Sequence, residues 1–255
     1  MDKKPWKDIE PPQGAVEAEF LRPVYRGESI GPYRLFEPVE AVIPWDPENG
    51  GLLTSERAAR RGYSRLSNWL GTAESLWNEH GKGRMTFEKK IDFYCQLSAQ
   101  FPIRSPRVAY GASGTNPAAA TILNESAIID YRLYWTKAKD EDEARYLLAI
   151  LNSETARARA EKWQSRGEWG ARDFDKVMFN LPIPRFDSQV ILHRDLAVCA
   201  EHAEKVAVAV PLKEGEYFTR ARKRIRDALR ANGVADEIDA LVERLLSAKS
   251  QQIAA

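Results

Sequence analysis

Five clusters in this 255-residue chain carry side chains that can do chemistry. Glu88-Lys89-Lys90 has the Glu-x-Lys form of metal-dependent nucleases, in which a carboxylate holds Mg²⁺ and a lysine helps the attacking water. Its upstream acidic partner would have to be Glu74 or Glu79, on a predicted exposed helix, and the competing reading is a solvated basic turn. Gly111-Ala112-Ser113-Gly114-Thr115 contains glycine but lacks the lysine of a phosphate-binding loop, and no long helix signal follows. Cys199 and His202 fall one helical turn apart, but two ligands without a second pair do not make a zinc site, so no metal is expected. Arg104 and Arg107 flank a proline turn, and Ser113, Thr115 and Asn116 follow on a loop that glycine lets approach a duplex closely. The fifth cluster sets Arg166, Trp169, Arg172 and Lys176 around Gly167 and Gly170. Forked donors able to read guanine stand there beside an aromatic that can pack on sugar or base. Against that reading, Trp169 and Phe174 would be core and the arginines would pair with Asp173 and Asp175.

The last two clusters share a partner class, nucleic acid, and offer no reacting group. Adenine N6-methylation needs Asn/Asp-Pro-Pro and an aromatic to hold the extruded base. Here Pro11-Pro12 stands between Glu10 and Gln13, while Asn116-Pro117 continues into Ala118. No strand leads into a glycine-rich turn suited to S-adenosylmethionine. Cofactor and catalysis are therefore not expected in this chain.

The formal net charge of +1 is low for a dedicated DNA binder, but its distribution is uneven. Met1–Gly50 holds six Lys/Arg against ten Asp/Glu, whereas Gly51–Tyr110 holds ten against five, a local excess that suits phosphate or a solvated face. No apolar run approaches the roughly 20 residues that cross a bilayer. Met1-Asp2-Lys3-Lys4-Pro5-Trp6 has no apolar segment behind its lysines, so the expected location is the cytoplasm. Cys95 and Cys199 are too few for a disulfide framework and read as packing residues.

Elements must position these clusters. The first 50 residues, rich in proline and aromatics, read as strands and extended connections. Leu66, Trp69, Leu70, Ala73 and Trp77 predict one face of a helix over 64–80. Arg107–Gly111, Ala119–Leu123 and Ala127–Trp135 read as three strands. Asp140, with Glu143 three residues on, caps a helix whose stripe is Ala144, Leu147, Leu148 and Leu151. Leu192, Leu196, Cys199, Ala203, Val206 and Val210 predict a packed helix, and two more follow Gly215, divided at Asn232-Gly233. The first of these two crowds Arg220, Arg222, Lys223, Arg224, Arg226 and Arg230 together, as a solvated face or a surface for phosphates.

Three stretches together resemble the C-terminal target-recognition region of gamma-class N6-adenine DNA methyltransferases of bacterial restriction and phage-defence systems. They are Arg107–Asn116, Ala127–Ser153 with its Tyr146-Leu147-Leu148-Ala149-Ile150-Leu151-Asn152-Ser153 core, and Gln164–Lys176 closing with Leu181-Pro182-Ile183-Pro184. The resemblance spans residues 25–186. It implies sequence-specific binding of double-stranded DNA through Arg104, Arg107, Ser113, Thr115, Asn116, Arg166, Trp169, Arg172 and Lys176. It also implies a methyltransferase catalytic domain, in cis or in trans, that carries S-adenosylmethionine. The expected fold is α+β: a mixed strand and helix recognition domain over residues 1–185, then a helical C-terminal bundle over 186–255. A protein-interaction scaffold and a Mg²⁺ nuclease are the rival functions.

Overall fold

The computed structural model describes residues 5–253 apart from 82, 84, 112–115, 164–165, 168–169 and 172–174, and these residues form an α+β fold. Its strands are β1 (Leu21–Tyr25), β2 (Ile30–Gly31), β3 (Arg34–Leu35), β4 (Val39–Val42), β5 (Arg107–Gly111), β6 (Ala119–Ile122), β7 (Ile128–Ile129), β8 (Leu133–Lys137), β9 (Arg166–Gly167) and β10 (Gly170–Ala171). Its helices are α1 (Ser55–Arg60), α2 (Ser64–His80), α3 (Phe87–Ile91), α4 (Glu141–Asn152), α5 (Glu154–Ala160), α6 (Ile191–Ala209), α7 (Phe218–Asn232) and α8 (Val234–Ile253). Two compact units divide the chain: Met1–Val24 with Val39–Ile103, and Tyr25–Pro38 with Arg104–Ala255.

In the first unit β1 pairs antiparallel with β4, from Leu21↔Val42 to Val24↔Val39. Thr54 caps α1 by accepting the Arg57 N–H. Tyr63, at the N-cap of α2, makes no side-chain cap, and the Glu17 carboxylate serves instead, accepting from Arg65 N at 3.0 Å and Leu66 N at 2.9 Å. A carboxylate suits that end because the unpaired N–H groups carry partial positive charge. The stripe expected from spacing is the one buried: Leu66, Leu70 and Ala73 face inward, and the first two join Phe20, Leu53 and Ala58 in one core.

In the second unit a three-stranded antiparallel sheet has the order β6-β5-β8. Its central strand is covered on both faces. Val108 and Tyr110 enter the larger core with Ala119, while Ala109 joins Ala120, Ile122, Ala127, Ile129 and Leu133 in another. That is why Val108–Tyr110 reads as a continuous apolar run rather than an alternation. The run expected over 127–135 divides into β7 and β8, because Asp130 turns the chain. Its Oδ1 accepts from Arg132 N and its carbonyl from Leu133 N, each at 2.9 Å.

Helix α4 starts where capping predicts, with Asp140 Oδ1 accepting from Glu143 N at 2.9 Å. The Glu143 carboxylate returns a bond to Lys139 N rather than to the cap residue itself. Leu148, Ala149, Ile150 and Leu151 are buried with Leu196, Ala200, Ala203 and Ala207 of α6, whose alanines form a low ridge that lets the two helices close. Ile225 and Leu229 of α7, and Ile238, Val242, Leu245 and Leu246 of α8, complete the same core. The helical tail thus shares its core with α4 and β5, and the compact units do not divide at residue 185 as the change in sequence period suggested. Gly233 separates α7 from α8 with φ +89°, a conformation that favours glycine. Among the described residues no helix is long and apolar enough to cross a membrane.

Candidate nucleic-acid interface

The β5–β6 hairpin runs in register from Arg107↔Ile122 to Tyr110↔Ala119 and carries the loop that contains Ser113, Thr115 and Asn116. Three groups pin the far end of its stem. Asn152, the last residue of α4, accepts from Ala119 N at 2.9 Å through Oδ1 and donates to Ala119 O at 3.0 Å through Nδ2. One side-chain amide thereby does for β6 what a neighbouring strand would. Tyr33 N donates to the same carbonyl at 2.9 Å. Arg226 of α7 donates to Asn116 O and Pro117 O, each at 3.1 Å. Asn116 is exposed beyond these anchors, and Ser113 and Thr115 lie outside the described residues.

Arg107 does not belong with them. It is 0% exposed, and one guanidinium nitrogen donates to Asn124 O at 3.0 Å and Ala127 O at 2.8 Å. It shares the β5 face of Ala109, which packs inward, so its charge is enclosed beside the chain's own carbonyls and is not offered to a phosphate. Burial depresses its pKa, and Glu125 opposes that only in part. Arg104 is exposed. Arg107 and the loop stand at opposite ends of β5, four residue steps or about 13 Å apart. The structure therefore does not gather Arg104, Arg107 and Asn116 into one cluster.

Beyond α5, Gly170↔Gly167 and Ala171↔Arg166 form the two-residue ladder of β9 and β10, which makes the glycine-hinged turn a short hairpin. Trp169 and Arg172 lie outside the described residues, as do the side chains of Arg166 and Lys176. One pair that the sequence reading missed precedes this hairpin. Trp163 is 42% exposed, with Lys162 Nζ 4.2 Å from its ring centroid. The sequence carries the signal as an aromatic next to a lysine, and the structure sets that cation over the exposed indole. The neighbouring arginines are occupied: Arg157 pairs with Glu154 and Glu161, and Arg159 with Glu243.

The arginines of α7 are neither a wholly solvated face nor a free phosphate surface. Arg222 donates to Ile30 O at 2.8 Å and to Gly27 O, with its guanidinium over Phe218. Arg224 reaches Glu216 and Pro211 O, and Arg226 holds the hairpin loop as described. Burial, with the charge of Arg226 beside it, brings Arg222 down to about 10. Arg34 likewise closes the end of α6, donating to Ala207 O, Val208 O and Val210 O. These forks are clamps for unpaired carbonyls at turns and helix ends.

The rival sites fare as follows. Glu74 accepts from Ser55 N at 2.9 Å and from Ser55 Oγ, while Glu88 pairs with Arg57, so the two carboxylates serve different partners. Cys199 is buried, its thiol raised to about 11 by burial and by Glu237, whereas His202 is exposed, so the two do not converge. Among the described residues no three His, Cys, Asp or Glu side chains are grouped to hold a metal. Compared with known proteins, the chain matches no family model and no curated protein.

Proposed function

We propose that this chain reads double-stranded DNA sequence for an N6-adenine methyltransferase whose cofactor-binding catalytic domain stands in cis or in trans. The β5–β6 loop and the segment from Arg166 to Lys176, which begins with the β9–β10 hairpin, supply the contacts. Short polar groups of Ser113, Thr115 and Asn116 suit base edges and phosphates, and the forks of Arg166 and Arg172 suit guanine. Arg104 and the Lys162–Trp163 pair add exposed positive charge. The observation that carries this reading is the anchoring of the hairpin loop: α4, Tyr33 and α7 fix its stem while Asn116 stays open to solvent. A recognition loop needs that combination, because rigid presentation lowers the cost of ordering on binding.

Fluorescence anisotropy with labelled duplexes over a salt series tests it. Binding should weaken as salt rises, with a slope near −0.9 for each phosphate neutralised. The scaffold reading has one observation in its favour, Ile191 and Val198, 65% and 64% exposed and seven residues apart on α6. A scaffold would retain no duplex at low salt.

A further inference from the structure

The first unit contains an aromatic cleft that the duplex-reading proposal does not use. Its wall is set by the 46–51 loop. Asp46, 4% exposed, accepts from Glu48 N and Asn49 N at 3.0 Å each. Gly50 and Gly51, at φ +72° and +91°, then return the chain so that Trp45 pairs with Leu52. This arrangement presents the Trp45 indole flat against Phe101, centroids 4.0 Å apart and planes 4° apart. Arg22 lies over Phe101, 5.3 Å from its centroid.

Trp45 also walls a cleft of about 600 Å³, with Leu52, Met85, Lys89, Phe93 and Tyr94 among its lining. That volume is within the range of small-molecule sites, roughly 300–1,000 Å³. Phe93 is 40% and Tyr94 82% exposed, and Tyr94 and Cys95 adopt φ of 54° and 56°, unusual for residues with a side chain. Two large rings thus stand partly or largely in water, set against each other with centroids 4.2 Å apart.

Charge selects the occupant. The acidic groups of the cleft are engaged: Glu88 pairs with Arg57, and Asp92 Oδ1 accepts from Leu97 N and Ser98 N. The cations are free of ion pairs. Lys89 lines the cleft and is exposed, Lys90 lies next to it with Nζ 5.5 Å over the Phe93 ring, and among the described residues no carboxylate pairs with either. Aromatic walls with ammonium groups that no carboxylate neutralises fit a flat heteroaromatic base joined to a phosphate. We propose that this cleft binds an unstacked nucleotide, either free or within a single strand, with the base against Trp45, Phe93 and Tyr94 and the phosphate at Lys89 and Lys90.

The test titrates the intact chain into a labelled oligothymidylate and, separately, a labelled duplex. The wild type should bind the single strand. Replacing Phe93 and Tyr94 together with alanine should weaken that binding roughly tenfold or more, as loss of base stacking does elsewhere, while duplex affinity stays within about twofold. Lys89→Ala with Lys90→Ala should flatten the single-strand salt slope by about 1.4, two contacts at roughly 0.7 each. Competition by thymidine monophosphate would assign a free nucleotide, and its failure with strand binding intact would assign a single strand. If the double aromatic variant melts early, Tyr94→Ala alone carries the test. Unchanged single-strand affinity in a folded variant, or equal loss for strand and duplex, would overturn the proposal.

Discussion

Replacing Asn152 with alanine should cost far more than its partly exposed position suggests. The Asn152 amide spans both polar groups of Ala119, a residue that is 0% exposed. After truncation the carbonyl of Ala119 keeps the Tyr33 N–H, but its own N–H loses the acceptor described here. An unsatisfied buried donor costs about 1–3 kcal/mol, and the second lost bond about 0.5–1.5 kcal/mol. The expected sum is about 2–4 kcal/mol. At roughly 2–4 °C per kcal/mol for a chain of this size, the melting temperature should fall by roughly 5–15 °C in thermal scans followed by circular dichroism. Asn152→Asp sharpens the test: it keeps the acceptor but aims a second oxygen at the Ala119 carbonyl, so it should be destabilised as well. If Asn152→Ala melts within about one degree of the wild type, or Asn152→Asp is as stable as the wild type, the amide does not fix β6 in the way argued.

Four further outcomes follow from the same geometry. His193 is packed against Tyr146 and Phe186, and its Nδ1 accepts from Asp187 N at 3.0 Å. Burial holds its pKa below the usual 6.5, with Asp187 opposing only in part. The unfolded state therefore takes up the proton first. The contribution is fully present above about pH 6.5 and is lost as pH falls through the lowered value, so urea midpoints should drop on acidification, and less steeply in His193→Phe. Arg107→Ala removes a wholly buried side chain and two carbonyl bonds, and should cost about 3–5 kcal/mol in chemical denaturation. Arg104→Ala should leave stability alone and weaken duplex binding. Exposed Cys95 should react with an aromatic disulfide reagent in the native state, while Cys199, buried and with a thiol at about 11, should react only after denaturation; two fast thiols would contradict the packing described.

Periodicity and capping made much of the helical framework legible. The α2 stripe, the Asp140 cap of α4 and the Asn232-Gly233 break all stand where spacing put them, because each depends on residues within one or two turns. The sheet was legible in its strands but not in its order, since pairing β5 between β6 and β8 depends on partners distant in sequence. Arginine was the residue type most easily misread. Arg107, Arg222 and Arg226 look like contacts for an anion, yet each donates to carbonyls that become neighbours only in the folded chain. Asn152 belongs to a stretch that carries the resemblance, and its bond to Ala119, 33 residues away, is not readable from spacing. The Lys162–Trp163 pair is visible in the sequence as an aromatic beside a lysine, but spacing alone does not say that the indole stays exposed.

Whether the segment from Arg166 to Lys176 holds duplex DNA is decided by the behaviour of its three cations. Duplex affinity and melting temperature should be measured together for the intact chain with Arg166, Arg172 and Lys176 all replaced by alanine. The expected result is a salt slope flatter by up to about 3, weaker binding, and a melting temperature nearly unchanged. A triple variant that stays folded and binds duplex with the wild-type affinity and slope would contradict it.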